Sequence, residues 1–131
     1  MPTVTIRDET TTGGPSVREW ALELLTDRIT VRELIRSRVH QEVKDHNARA
    51  GQTYTGLVRP VAGEAGPGGW RMKPGARIDW KAQFEKAIEA FGRNQVLVLL
   101  DDRQVTSLEE DIVVMPSTKV TFLRLLPLVG G

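Results

Sequence analysis

The residues with the most chemistry to offer close the chain: Val129, Gly130 and Gly131. A diglycine carboxylate has no side chain beside it and little steric hindrance around it. It can slide into a narrow channel and present its carboxyl group to ATP. Glycine accepts almost any backbone conformation, so such a tail can adapt to more than one enzyme. The stretch before it, Val120-Thr-Phe-Leu-Arg-Leu-Leu-Pro-Leu-Val129, reads as a strand running almost directly into the glycines. Glycine is also common in frayed termini, so an idle tail is the competing reading.

Other side chains offer less. There is no cysteine, which excludes disulfides, thiolate catalysis and cysteine-bound metals. The two histidines, His40 and His46, fall in one expected helix at a spacing that does not share a face, so a metal site there is not expected. Asp101 and Asp102 are adjacent, and a turn explains them more simply than an acid–base pair. Lys plus Arg number 18 and Asp plus Glu 17, a formal charge of +1. That balance, without a basic run, does not suggest a nucleic-acid partner. Thirteen of the basic residues are arginines; the lysines are Lys44, Lys73, Lys81, Lys86 and Lys119. No apolar run is long enough to span a membrane and the start lacks a signal-like segment, so a soluble cytoplasmic protein is expected.

These groups need a frame. The 131 residues, 40% of them hydrophobic, suffice for one domain with its own core. Residues 3–8 alternate as a first strand, and residues 9–16 read as a turn or loop. Val17–Leu25 sets Trp20, Leu22 and Leu24 against Glu19, Ala21 and Glu23. A strand is preferred there to a helix, making a hairpin with the first. Thr30 followed by Glu33 has capping-box spacing, with Ile29 and Leu34 placed as a hydrophobic staple. Val31, Leu34, Ile35, Val39 and Val43 continue with helical period, to an end near 47–51. Residues 51–77, rich in glycine and proline, read as a long loop or short excursion. Asp79 reads as the cap of a second helix with Trp80, Phe84, Ala87, Ile88 and Phe91 on its apolar face. Gln95–Leu100 is expected as a central strand, Arg103–Val105 as its return, Asp111–Met115 as a short strand and Lys119–Leu126 as the last.

This order is α+β, and it resembles the ubiquitin-like β-grasp family, including the sulfur carriers of molybdopterin and thiamine synthesis. The motifs that carry the resemblance are Arg28-Ile-Thr-Val-Arg-Glu-Leu-Ile35 and the ending Val120–Gly131. It covers roughly 3–50 and 94–131. Residues 51–93 form an insertion where family members are usually shorter. The resemblance implies one β-grasp domain over 1–131, its sheet packed on a helix, with that insertion and a flexible tail at 127–131. It implies that an E1-like adenylating enzyme activates the Gly131 carboxylate with ATP and Mg²⁺, and that the chain itself is not an enzyme and binds no cofactor. Gly130, Val129, Leu128 and Pro127 would be the residues recognised in the channel.

Three readings follow. In the first, the chain is a ubiquitin-like protein modifier of a bacterial pathway, joined to a target protein, with an E2-like enzyme and a deconjugating protease as further partners. In the second it is a sulfur carrier ending in a thiocarboxylate. In the third it is a noncatalytic interaction domain whose binding surface includes Tyr54, Trp70 and the Arg32/Arg36 face. Self-assembly is left open.

Overall fold

The computed structural model describes residues 2–10, 18–49, 53–61, 63–66, 69–73 and 75–125. The chain divides into two compact units, Met1–Leu34 with Ala90–Gly131, and Ile35–Glu89.

The first unit is built on alternation. Strands β1 (Thr3–Thr10) and β2 (Arg18–Glu23) pair as an antiparallel hairpin, with Ile6 opposite Trp20 and Val4 opposite Leu22. β3 (Arg28–Thr30) leads into helix α1 (Val31–Arg49). The excursion that follows contains β4 (Thr53–Tyr54), β5 (Glu64–Gly66) and β6 (Gly69–Arg71), then helix α2 (Trp80–Gly92). The chain ends its described part with β7 (Val96–Leu100), β8 (Arg103–Val105), β9 (Asp111–Val113) and β10 (Lys119–Arg124). The main sheet runs β2-β1-β10-β7-β8. β1 and β10 lie parallel at its centre, a pairing that demands a long crossover between them.

Val4, Ile6, Leu22, Val96, Val98, Val120 and Phe122 are all buried, which marks the core face of this sheet. The period of two then sends Arg7, Glu19, Leu99, Lys119 and Thr121 to the other face. The β7–β8 turn is closed by Asp101 at φ 53, and α2 is stopped by Asn94 at φ 59. Both are residue types that tolerate the left-handed conformation. β3 and β9 form a separate two-stranded ribbon.

The second unit contains most of α1, the start of α2 and a small sheet of order β4-β6-β5. Its apolar core is Ile35, Val39, Val43, Tyr54, Leu57, Met72, Ile78 and Ala87. The stretch expected as a loop thus carries three short strands. Two glycines make this compactness possible. A Cβ on Gly69, which has φ 151, would strike the Tyr54 carbonyl, and one on Gly56 would enter the Tyr54 ring.

Both helix starts follow the sequence reading. The Thr30 hydroxyl accepts the Glu33 N–H at 3.1 Å, and an Asp79 carboxylate oxygen accepts the Lys81 N–H at 3.1 Å. Among the described residues, no helix is long and apolar enough to cross a membrane.

Candidate functional site

The candidate reacting residues, Gly131, Gly130, Val129, Leu128 and Pro127, lie outside the described residues. What is described is the strand that leads to them. β10 is held on both sides: by parallel pairing to β1 from Thr5–Lys119 to Thr10–Arg124, and by antiparallel pairing to β7 from Leu100–Val120 to Val96–Arg124. Its hydrogen bonding continues one residue further, where the Leu125 N–H reaches the Gln95 carbonyl at 2.9 Å. Its own Val120 and Phe122 are fully buried. A strand clamped at the centre of a sheet is a fixed base for whatever follows it.

The outer face of the same strands carries a shallow groove of about 510 Å³. Arg7 and Glu9 of β1, Thr121 and Lys119 of β10, and Asp101 and Asp102 of the β7–β8 turn line it. The charges form a chain: Arg7 Nε lies 2.7 Å from Glu9, Arg7 Nη1 lies 3.4 Å from Glu19, and Lys119 Nζ lies 3.3 Å from Glu19. Asp101 is committed to the backbone, since its carboxylate accepts the Lys119 N–H at 3.0 Å. It serves the turn that its position in the sequence suggested.

A second polar cluster is buried in the other unit. Arg38 and Glu42 pair one helical turn apart on α1, with side chains only 2% and 7% exposed. The other Glu42 oxygen accepts the Leu57 N–H at 2.8 Å. The Tyr54 hydroxyl hydrogen-bonds with the Gln83 and Glu42 side chains. Burial pushes that hydroxyl far above the usual tyrosine range and the Glu42 charge adds to the shift, while the Gln83 hydrogen bond and Arg38 oppose it. Gln83 also donates to the Val58 carbonyl at 3.2 Å, and Lys86 to the Arg59 carbonyl. Asn47 makes a reciprocal pair with Ile78, at 2.9 and 3.0 Å. Buried His46 meets the Tyr54 ring edge-on at 5.4 Å, and its Nε2 has no hydrogen-bond partner among the described residues. The same holds for Nε1 of Trp70, which sits opposite Tyr54 across the β4–β6 pair.

This cluster ties an irregular stretch of backbone to two helices. A tyrosine so strongly held in its neutral form is a hydrogen-bond donor, not a base. The sequence reading missed Arg38, Glu42 and Gln83, and weighed His46 only as a metal ligand. The signal was present: Ile35, Arg38, Val39, Glu42, Val43 and His46 follow the spacing of one helical face, so the polar members fall on the stripe that buries the apolar ones. His40 is exposed and stands against Trp80, with ring centroids 5.3 Å apart, and Arg36 lies over the same indole at 5.4 Å. Among the described residues no group of acidic or histidine side chains could hold a metal ion.

No family model matches the chain, and no curated protein and no solved structure is found to be similar to it.

Proposed function

We propose that the chain is a ubiquitin-like protein modifier of β-grasp fold, activated at the carboxylate of Gly131. One observation supports this most: the sheet order β2-β1-β10-β7-β8 with β1 and β10 parallel, a helix following the first hairpin, and the last strand at the sheet's centre. This is the order that the β-grasp reading expects. The strand before the tail is paired on both sides, with β1 and with β7.

The reading requires a free carboxylate at Gly131, whether native or exposed by processing. In the reaction, a Gly131 carboxylate oxygen attacks the α-phosphorus of ATP. The bond to the bridging oxygen breaks, and pyrophosphate leaves. The acyl adenylate then passes to a cysteine thiolate of the partner as a thioester, with AMP as leaving group, and finally to an amine of the target. Gly130 gives the tail its slimness, and Val129, Leu128 and Pro127 restrict its freedom in the partner's channel. Every catalytic side chain belongs to the E1-like adenylating enzyme, which also holds ATP and Mg²⁺. An E2-like enzyme and a deconjugating protease complete the partners. The cytoplasm, where ATP is available, is the compartment proposed for the reaction.

The test is the intact mass of the full chain after incubation with ATP, Mg²⁺ and lysate of the source organism, beside a chain lacking Gly130–Gly131. An amide adduct on a target amine that depends on the tail is the expected result. A mass gain equal to exchange of oxygen for sulfur would make the chain a sulfur carrier instead. If the tail-less chain behaves as the full one with an active partner, the noncatalytic interaction domain replaces both.

A further inference from the structure

The β3–β9 ribbon carries an unusual concentration of exposed apolar side chains. Among the described residues, three of the four exposed large hydrophobic side chains belong to it or border it: Leu25 at 85%, Val113 at 51% and Met115 at 60%. Leu25 stands just before β3, Val113 is in β9 and Met115 just follows β9. The ribbon's other face is spoken for, since Ile112 and Val114 are buried.

The backbone of β9 has a free side as well. Val31 donates to the Glu110 carbonyl and Val114 to the Asp27 carbonyl, at 3.0 and 2.7 Å. In an antiparallel pair, bonded and non-bonded residue pairs alternate. With Arg28 opposite Val113 and Thr30 opposite Asp111, these two pairs are the non-bonded ones. The N–H and C=O groups of Asp111 and Val113 therefore point away from β3. No strand lies beyond β9 among the described residues. The edge stops at Met115, whose N–H is taken by the Thr118 hydroxyl at 2.9 Å.

We propose that β9 is a self-association edge, pairing antiparallel with β9 of a second copy of this chain. The register follows from the groups available. Centring the pair on Ile112 sets Asp111 opposite Val113 of the second copy, and the reverse. All four outward-facing N–H groups then find carbonyls. Centring on Asp111 would oppose two like charges directly, which is unfavourable. Centring on Val113 would call on the N–H of Met115, already used.

The same register brings charge complementarity, which is what commits the edge to a second copy. Directly paired residues share a face. One row across the four strands then reads Arg28, Val113, Asp111 of the second copy, Thr30 of the second copy. Arg28 and that Asp111 are two strand spacings apart, roughly 9–10 Å between backbones, a gap an arginine side chain bridges over Val113. Symmetry repeats the contact, so two opposite-charge pairs form with Val113 covered beneath each.

The experiment is sedimentation equilibrium of the full chain over a wide concentration range, with Val113→Pro, Arg28→Asp, Asp111→Arg and the Arg28→Asp/Asp111→Arg double variant. Circular dichroism checks that each is folded. The expected result is a concentration-dependent dimer in the wild type and none with Val113→Pro. Each single charge reversal weakens the dimer roughly tenfold, and the double reversal restores it. A wild type that stays monomeric throughout overturns the proposal. So does a dimer indifferent to Val113→Pro, or single reversals that the double variant does not rescue.

Discussion

Tyr54 is the only tyrosine in the chain, and its hydroxyl sits where ionisation is opposed first by burial and then by the charge of Glu42. Its folded-state pKa therefore stands above the ordinary 10.0 that it has in the unfolded chain. The sign follows from linkage. The neutral phenol is favoured by folding, so its contribution is fully present below pH 10.0 and is lost as the pH climbs from there toward the folded-state value. The lone tyrosine makes this directly visible. Tyrosinate absorbance in the native protein is expected to stay silent through pH 10.0 and to appear only in step with loss of structure. Tyr54→Phe should flatten the alkaline decline in denaturant midpoint. A reversible titration near pH 10.0 with circular dichroism unchanged would show that the hydroxyl is not held as described.

At the scale of elements, what was legible in the sequence was what depends on neighbours in sequence. Thr30 and Asp79 announce helix starts because a cap needs only an oxygen and a nearby N–H. Alternation in 3–8 and 17–25 gave the first hairpin, and the balance of apolar residues in 95–100 gave β7. The short strands at 53–54, 64–66 and 69–71 were not legible as strands, because nothing local forms them. Among the described residues β4 and β5 pair only with β6, and the stretch between them is held by side chains 15 to 27 residues away: Glu42 accepts the Leu57 N–H, while Gln83 and Lys86 donate to the Val58 and Arg59 carbonyls. Of the candidate site, the tail was legible as a motif, while the buried polar cluster was hidden among helical positions read for their apolar members.

The cap at Thr30 is also reinforced from afar. The next two N–H groups, of Val31 and Arg32, donate to the carbonyls of Glu110 and Leu108 at 3.0 and 2.9 Å. Thr30→Ala therefore exposes one donor and leaves its neighbours satisfied. The expected cost is about 0.5–1 kcal/mol, the lower part of the range for cap removal, read as a shift in urea midpoint at unchanged m-value. A loss well above that would mean that the hydroxyl also holds the β3–β9 ribbon in register.

For the whole molecule, each compact unit is closed by bonds of its own. The five-stranded sheet has the continuous ladders of β2, β1, β10, β7 and β8 and a purely apolar core face. The Ile35–Glu89 unit has short ladders and relies on the charges of Arg38 and Glu42 to hold backbone that makes few bonds of its own. Removing one charge of a buried pair costs about 3–5 kcal/mol, more than the Thr30 cap. Glu42→Gln keeps the shape but leaves the Arg38 guanidinium facing a neutral amide. The effect should be local opening, not global unfolding. Hydrogen exchange is expected to accelerate by roughly a hundredfold or more at Leu57 and through 53–73, while amides of Ile6, Val98 and Phe122 keep their protection. Equal loss across both sets would mean that the sheet and the excursion unfold as one cooperative body, and that the Glu42 latch sets the stability of the entire chain.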